Sequence, residues 1–184
     1  MRPETHTTPL EGVCHLALEI HGDQRGSLTE VFRRDWFEPE GFGPLQSNLS
    51  QSRQGVLRGL HFHRRQTDYW ICVKGSLRAV LLDLRQGSPS WKKSYAVELT
   101  QKKPEALLIP PGVAHGYYAS SDMALIYLVD QLYDGSDECG VLWCDEELEP
   151  LWGVEGKPVV SERDATNPSL TELTRQGKLP VFER

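Results

Sequence analysis

Eight short segments with β-strand character follow one another through the middle of this chain. Clusters of Gly, Pro, Ser or Lys separate most of them, so no segment is long. Many short strands at this spacing predict a sandwich or a barrel, and not a parallel sheet with crossover helices. The candidate strands are 45–49, 56–63, 69–73, 77–84, 94–99, 106–109, 114–119 and 124–129.

The length of 184 residues suits one domain, 1–184, that buries its own core. The segments before the strand-rich region carry weaker patterns. The elements expected there are a loose polar arm at 1–12, strands at 14–20 and 27–33, and a short helix or loop at 35–42.

The C-terminal segment, 165–184, contains one helix signal. Ser169 is followed three residues later by Glu172, a pairing that satisfies the first backbone N–H groups of a helix. The sequence therefore predicts a short helix at 169–176.

The candidate strand 77–84 is apolar on both faces, which indicates that it is covered on both sides. The barrel interior supplies one cover. The other is either a partner subunit or a helix of the same chain, and the sequence leaves both open.

Composition excludes several functional classes. The formal net charge of −6 argues against a nucleic-acid binder, so an anionic ligand must rely on a local basic cluster. No apolar run approaches 18 residues, and the N-terminus lacks the apolar stretch of a signal peptide. We therefore expect a cytoplasmic protein that does not enter a membrane. Its cysteines fit no zinc spacing and are expected to be reduced and mostly buried: Cys14, Cys72, Cys139 and Cys144.

Two histidines mark the candidate site. His61 and His63 are two residues apart, so in a strand both imidazoles project from the same face. Arg58 precedes the pair, and Arg64 and Arg65 follow it. Acid–base groups among cations predict a pocket for a small anionic molecule, and a pair of surface histidines is the alternative.

The spacing around these histidines resembles the first motif of the cupin superfamily, and residues 110–115 resemble the second. Asp68 stands where cupins carry Glu, and Ala119 stands where they carry Asn. The resemblance implies an all-β, cupin-like jelly-roll barrel (a double-stranded β-helix) with short peripheral helices. In metal-binding cupins the matching positions hold Fe, Mn, Ni or Zn; here they are His61, His63, Asp68 and His115.

A longer resemblance covers about residues 12–172. Eight separated segments occur in the order found in the dTDP-4-dehydrorhamnose 3,5-epimerase family. They are 23–26 with Glu30, 46–48, 56–62, 83–85 with 87–89, 109–116, Tyr127, 143–145 and 161–164. The resemblance implies an isomerase that acts on a dTDP-linked 4-keto-6-deoxy sugar, needs no metal or other cofactor, and forms a homodimer.

The resemblance also implies a role for each matching residue. His61 matches the base that removes a proton next to the ketone, Asp164 the carboxylate that orients this base, and Tyr127 the acid on the opposite face. His115 matches a second pocket histidine, and both His63 and His115 are expected to bind the substrate. The positions that match nucleotide-binding residues are Arg25, Glu30, Gln46, Asn48, Arg58, Tyr133 and Arg163.

One departure from the family affects the chemistry. Where the family has a Lys that stabilises the enolate, this chain has Asp68. An ionised Asp there opposes the reaction. Our hypothesis is that a protonated His63, held by Asp68, replaces the Lys. The alternatives are that Asp68 turns away or pairs with Arg64 or Arg65, or that the chemistry differs, for example by epimerisation at C3 or C5 alone.

Two other functions remain open at this point. The first is a metal-dependent cupin enzyme that uses His61, His63, Asp68 and His115. The second is a sugar-nucleotide binding protein without catalytic activity.

Overall fold

The structure, a computed structural model, describes residues 2–146, 148–154 and 156–182. Two antiparallel sheets face each other, and a separate hairpin extends from them. The strands are β1 Glu4–His6, β2 Cys14–Ala17, β3 Ile20–Asp23, β4 Gly26–Thr29, β5 Gln46–Ser52, β6 Leu57–Phe62, β7 Asp68–Lys74, β8 Ser76–Asp83, β9 Ser94–Thr100, β10 Glu105–Ile109, β11 Val113–Ala119, β12 Met123–Val129 and β13 Cys139–Gly140. The helices are α1 Glu162–Ala165, α2 Leu170–Arg175 and two 3-10 turns at Arg34–Phe37 and Glu149–Trp152.

The order of strands is that of a jelly roll. One sheet has six strands in the order β1-β2-β10-β7-β12-β5, and the other has five in the order β13-β6-β11-β8-β9. Strands β3 and β4 form the hairpin. The main core lies between the two sheets and includes Leu81, Leu107 and Leu125. The predicted all-β, cupin-like class is confirmed, and each of the eight predicted central strands has an observed counterpart.

The doubly apolar strand β8 is covered by the chain itself. Leu77, Ala79 and Leu81 face the core between the sheets. Val80 and Leu82 face the outside, where they pack in a second cluster with C-terminal side chains. The C-terminal members of that cluster include Leu148, Trp152, Leu170, Leu173 and Leu179. A partner subunit is therefore not needed as a cover, and of the two alternatives the helix of the same chain is correct.

The outer face of the six-stranded sheet carries a third, aromatic cluster. Trp36 and Phe37 of the first 3-10 turn pack there with Phe42 and Tyr69. The helix or loop expected at 35–42 is thus one short turn, because Pro39 and Gly41 end it early.

The predictions for the two ends of the chain have different outcomes. The helix expected at 169–176 is present, and Ser169 Oγ accepts a hydrogen bond from the Glu172 backbone N–H. The arm at 1–12 is not wholly loose, because β1 pairs with β2 at the edge of the six-stranded sheet and Leu10 is buried. Backbone pairing holds this strand although its side chains are polar.

Among the residues that the structure describes, no helix has the length and apolar character that crossing a membrane requires.

Candidate active site

A cavity of about 770 Å³ opens between the two sheets. Strands β5, β7 and β12 of the six-stranded sheet form one wall, and β6 and β11 of the other sheet form the opposite wall. Side chains alternate along a strand, so every second residue faces inward. The inward residues of β5 are Gln46, Asn48 and Ser50.

His61 is held by a carboxylate from α1. Its Nε2 lies 2.7 Å from Asp164 Oδ1, while Asp164 Oδ2 accepts a hydrogen bond of 3.1 Å from the Gly59 backbone N–H. Ser161 caps α1 by accepting a bond from the Asp164 backbone N–H. The cap fixes the first turn of α1 and thereby aims the carboxylate at the imidazole.

The charge of Asp164 determines the tautomer of His61. Burial alone would raise the pKa of Asp164, but its hydrogen bonds to His61 and Gly59 lower the pKa below the usual value. The carboxylate is therefore ionised and can only accept a hydrogen bond, so His61 Nε2 carries the proton. The lone pair is left on His61 Nδ1, which makes this atom the basic one.

The position of His61 in the cavity wall depends on a close approach between the backbones of β6 and β11. His61 pairs with His115 across β6 and β11, next to an irregularity in the register. A Cβ atom on Gly116 would lie 2.6 Å from the Arg58 carbonyl oxygen, and one on Gly59 would lie 2.7 Å from Gly116 Cα. Only glycines permit this contact, which fixes how β6 and β11 pack.

Tyr127 projects from the opposite wall. It lies on β12 between Asn48 of β5 and Trp70 of β7 in the strand register, and it lines the cavity. Burial, and then the nearby Asp68, raise the pKa of its phenol. The hydroxyl therefore keeps its proton at neutral pH, as an acid must before it donates.

Three ionisable side chains cluster deep in the cavity. His63 Nε2 and His115 Nε2 each lie 3.9 Å from Asp68 Oδ2, and all three side chains are largely buried. Burial raises the pKa of Asp68, and it lowers that of His115 to about 4. Burial and the neighbouring His115 also lower the pKa of His63. The environment thus favours the neutral form of each group.

Two comparisons by sequence identify the family. The profile described as dTDP-4-dehydrorhamnose 3,5-epimerase matches residues 7–172. A dTDP-4-dehydrorhamnose 3,5-epimerase of Sinorhizobium fredii is 37% identical over 159 residues, which span 83% of this chain and 82% of that protein. The chain belongs to the dTDP-4-dehydrorhamnose 3,5-epimerase family.

Solved structures of related epimerases also resemble this chain. NovW, a 4-keto-6-deoxy sugar epimerase from the novobiocin gene cluster of Streptomyces spheroides, matches with a TM-score of 0.92 at 33% identity over 99% of this chain and 94% of its own. ChmJ, a 3'-monoepimerase from Streptomyces bikiniensis in complex with dTDP-quinovose, matches with a TM-score of 0.88 at 30% identity over 98% of this chain and 93% of its own. The predicted family and its class, an isomerase, are confirmed.

Most of the residues expected to hold the nucleotide lie at the cavity. Gln46, Asn48, Arg58 and Tyr133 line it, and Gln46 Nε2 donates to Asn48 Oδ1 over 2.9 Å. Tyr133 is 73% exposed at the mouth. Arg163 reaches the cavity indirectly, because its guanidinium lies 3.0 Å from the carboxylate of Glu138, which is a lining residue.

Two of the expected nucleotide contacts are not at the cavity of their own chain. Arg25 lies on the β3–β4 hairpin, is 84% exposed and pairs with Asp23. Glu30 follows the hairpin, is also exposed and faces Arg33 at 3.7 Å. Within one protomer neither Arg25 nor Glu30 lines the cavity, so their nucleotide-binding role stays a prediction.

The surroundings of Asp68 also differ from expectation. Arg64 and Arg65 do not pair with it: their backbone N–H groups donate to Asp137, and the Arg65 guanidinium binds Asp134. Asp68 instead accepts hydrogen bonds from Gln66 and, at 3.4 Å, from the Trp70 indole. The lowered pKa of His63 also argues against our hypothesis of a protonated His63.

Several lining residues escaped the sequence analysis. Tyr117 O–H lies 2.8 Å from Ser50 Oγ and 3.0 Å from Ser52 Oγ, which joins the two walls. The alternation that placed Gln46 and Asn48 on one face also predicts Ser50, so this residue could have been found. Gln66, Asp137 and Glu138 lie in loops, where no periodic pattern points inward.

Proposed function

We propose that this chain epimerises a dTDP-linked 4-keto-6-deoxy sugar at C3, C5 or both. The observation that carries the proposal is the placement of two groups on opposite walls of one cavity. His61 lies on the five-stranded sheet and is the base, which Asp164 orients. Tyr127 lies on the six-stranded sheet and is the acid that faces it.

The chemistry follows from this placement. The carbonyl at C4 acidifies the neighbouring C–H bonds, so His61 Nδ1 can take a proton from one face of the ring. The electron pair of that C–H bond moves into an enolate whose negative charge rests on the C4 oxygen. Tyr127 donates its proton to the same carbon from the opposite face, which inverts that centre. Solvent then returns a proton to the phenolate and removes one from the imidazolium.

Asp68 occupies the place of the family Lys, so a different group must stabilise the enolate. Burial raises the pKa of Asp68, and a protonated carboxyl is a hydrogen-bond donor, as is a neutral His63. We infer that these uncharged donors hold the enolate oxygen, in the way that a protonated Asp serves in other enzymes that form enolates.

The substrate assignment rests on the cavity and on the relatives. Gln46, Asn48 and Tyr133 give the mouth hydrogen-bonding and aromatic groups suited to a pyrimidine, and Arg58 offers a guanidinium to phosphate. ChmJ carries dTDP-quinovose, and its TM-score to this chain is 0.88. Both points support a dTDP sugar as the ligand of this chain.

We further propose a homodimer in which the β3–β4 hairpin of one protomer completes the cavity of its partner. The hairpin is exposed along both strands and carries unpartnered apolar side chains, Ile20 and Leu28. Insertion into a partner would bury them and would bring Arg25 and Glu30 to the nucleotide. Mixing an inactive His61→Asn protein with an inactive Arg25→Ala protein tests this. Heterodimers then regain one intact site, and an absence of recovered activity contradicts the arrangement.

We also propose a cytoplasmic location. All four cysteines are free in the structure, as expected for a reducing compartment.

Solvent deuterium incorporation into a dTDP-4-keto-6-deoxy sugar tests the proposed function. We expect label at C3, C5 or both, resolved by NMR, with the label lost in His61→Asn. A protein that binds the sugar nucleotide and leaves both carbons unlabelled is a binding protein and not an epimerase.

A metal-dependent reaction is the second candidate, because His63, Asp68 and His115 place one donor atom each within 4.8 Å of the others. His61 is outside this group, since its Nε2 engages Asp164. Full deuterium exchange after exhaustive chelation contradicts a metal-dependent reaction. Loss of exchange that added metal restores supports it.

A further inference from the structure

A second cluster of metal-ligating side chains lies at the other edge of the sandwich. β1 is the edge strand of the six-stranded sheet, followed by β2 and β10, and β9 is the edge strand of the facing sheet. His6 and His15 pair directly across β1 and β2, and Glu105 lies on β10. Together with Tyr95 of β9 they border a cavity of about 530 Å³. Among the described residues, it shares no lining side chain with the active cavity.

The donor atoms of the cluster converge. His6 Nε2 lies 3.0 Å from Glu105 Oε1, and His15 Nε2 lies 3.5 Å from Glu105 Oε2. The side chains of His15 and Glu105 are 4% and 6% exposed, whereas that of His6 is 37% exposed. The cluster is therefore buried on the sheet side and open to an ion on the His6 side.

One nitrogen of His15 lacks a hydrogen bond. Nε2 is buried and has no partner of hydrogen-bonding geometry among the described residues, whereas Nδ1 lies 2.9 Å from Tyr95 O–H. Buried polar atoms without partners are rare and call for an explanation. A histidine that binds a metal through one nitrogen ordinarily hydrogen-bonds a second group through the other. His15 has this arrangement, with Tyr95 as the outer group.

The charges also suit a cation. Because Nδ1 of His15 faces the Tyr95 hydroxyl and Nε2 has no hydrogen-bond partner among the described residues, the neutral ring can present its Nε2 lone pair to a metal. Glu105 already accepts a hydrogen bond from the Lys103 ammonium, so its carboxylate holds a cation at this place. Lys103 is 72% exposed, so it can turn into solvent when an ion takes its place.

We propose that His6, His15 and Glu105 bind a divalent transition metal ion of the zinc class, at a site separate from the active cavity. Two imidazoles and a carboxylate form a donor set that zinc accepts, with water completing the coordination. The three ligands come from β1, β2 and β10. A bound ion therefore fastens the N-terminal strand to the sheet.

The test uses the full chain after metal removal with EDTA, titrated with Co²⁺ and followed by visible absorption, with Zn²⁺ as competitor. We expect the protein to bind one equivalent of Co²⁺, which Zn²⁺ then displaces. His6→Gln and Tyr95→Phe should each weaken binding by about tenfold or more, because one removes a ligand and the other the outer partner of His15. Lys103→Gln should tighten binding, since it removes the competing ammonium. Epimerase activity should be unchanged in all three.

Two control variants separate this site from other histidines. His21→Gln changes an exposed histidine, and His63→Gln changes the cluster in the active cavity. Both should keep the Co²⁺ band. Hydrogen exchange of residues 4–6 should slow when Zn²⁺ is added to wild type and not to His6→Gln. A band that survives His6→Gln but disappears in His63→Gln overturns the proposal, as does a wild type that binds no Co²⁺ at about millimolar concentration.

Discussion

At the scale of single residues, the carboxylate of Asp164 decides whether His61 presents its lone pair to the cavity. Asp164→Asn keeps the size of the side chain but offers an amide that can also donate, so the His61 tautomer is no longer fixed. We expect kcat to fall by about 10²–10⁴-fold with little change in substrate affinity. Steady-state kinetics and isothermal titration measure the two quantities. Glu162→Gln, on the exposed face of α1, is the control and should behave as wild type.

Removing the acid should separate two events that normally occur together. Tyr127→Phe deletes the proton that inverts the carbon, while His61 continues to remove and return a proton on its own face. We expect deuterium exchange to persist and epimer formation to fall by about 10²-fold or more. NMR of the sugar ring follows both. Tyr118→Phe alters a tyrosine in the outer cluster and should leave both rates intact. If Tyr127→Phe forms the epimer at the wild-type rate, Tyr127 is not the acid.

Asp68 provides a third prediction at this scale. If its neutral carboxyl donates to the enolate, Asp68→Asn keeps a donor and should retain activity within about tenfold, whereas Asp68→Ala should lose about 10²-fold in kcat. Activity of the wild type should also fall at high pH as Asp68 ionises, and this fall should be absent in Asp68→Asn. A pH profile of kcat for the wild type and for Asp68→Asn measures this fall. Equal losses of kcat in Asp68→Asn and Asp68→Ala rule out the donor role of Asp68.

At the scale of elements, the contact between β6 and β11 leaves no room for added volume. Gly116→Ala places a methyl group 2.6 Å from the Arg58 carbonyl oxygen and 3.0 Å from the Trp152 ring. Because backbone cannot yield there, we expect a loss of about 1–3 kcal/mol in the free energy of unfolding. Urea denaturation measures it. Gly43→Ala, where the nearest neighbour is a flexible arginine tip at 3.9 Å, should be neutral.

The sequence predicts elements well where a repeating pattern or a cap exists. Strand alternation gave the central strands, and Ser169 with Glu172 gave α2. The pattern cannot show β1 or β13, because the first is polar and the second is two residues long, and both exist through pairing with neighbours. The raised pKa of Asp68 is likewise invisible in the sequence, since it depends on burial by distant strands. The hairpin position of Arg25 is also a tertiary property.

At the scale of the whole molecule, the buried His115 makes stability depend on pH. Its pKa is lowered to about 4 from 6.5, so the folded state resists a proton that the unfolded state accepts. The unfolded state binds more protons between these values, so this contribution to stability is full above pH 6.5 and is lost as pH falls toward 4. We expect a loss of about 2 kcal/mol between about pH 7 and pH 5.

His115→Gln tests this contribution, because glutamine does not titrate. Urea unfolding of wild type and variant at several pH values gives the two slopes. We expect the variant to be less stable near neutrality, since the bond from His115 Nδ1 to the Val113 carbonyl is changed, but to lose less on acidification. Identical slopes would show that His115 does not resist protonation.

The part of the chain that follows β13 covers the five-stranded sheet with Leu170, Leu173 and Leu179, and it also carries Asp164. Asp164 lies 103 residues beyond the histidine that it orients. A ribosome therefore has to synthesise the chain as far as α1 before the base acquires its partner. A product cut short before Ser161 lacks the group that fixes the imidazole, so premature termination there yields protein with severely reduced turnover. Full turnover by this enzyme is thus also a report that its synthesis has passed Asp164.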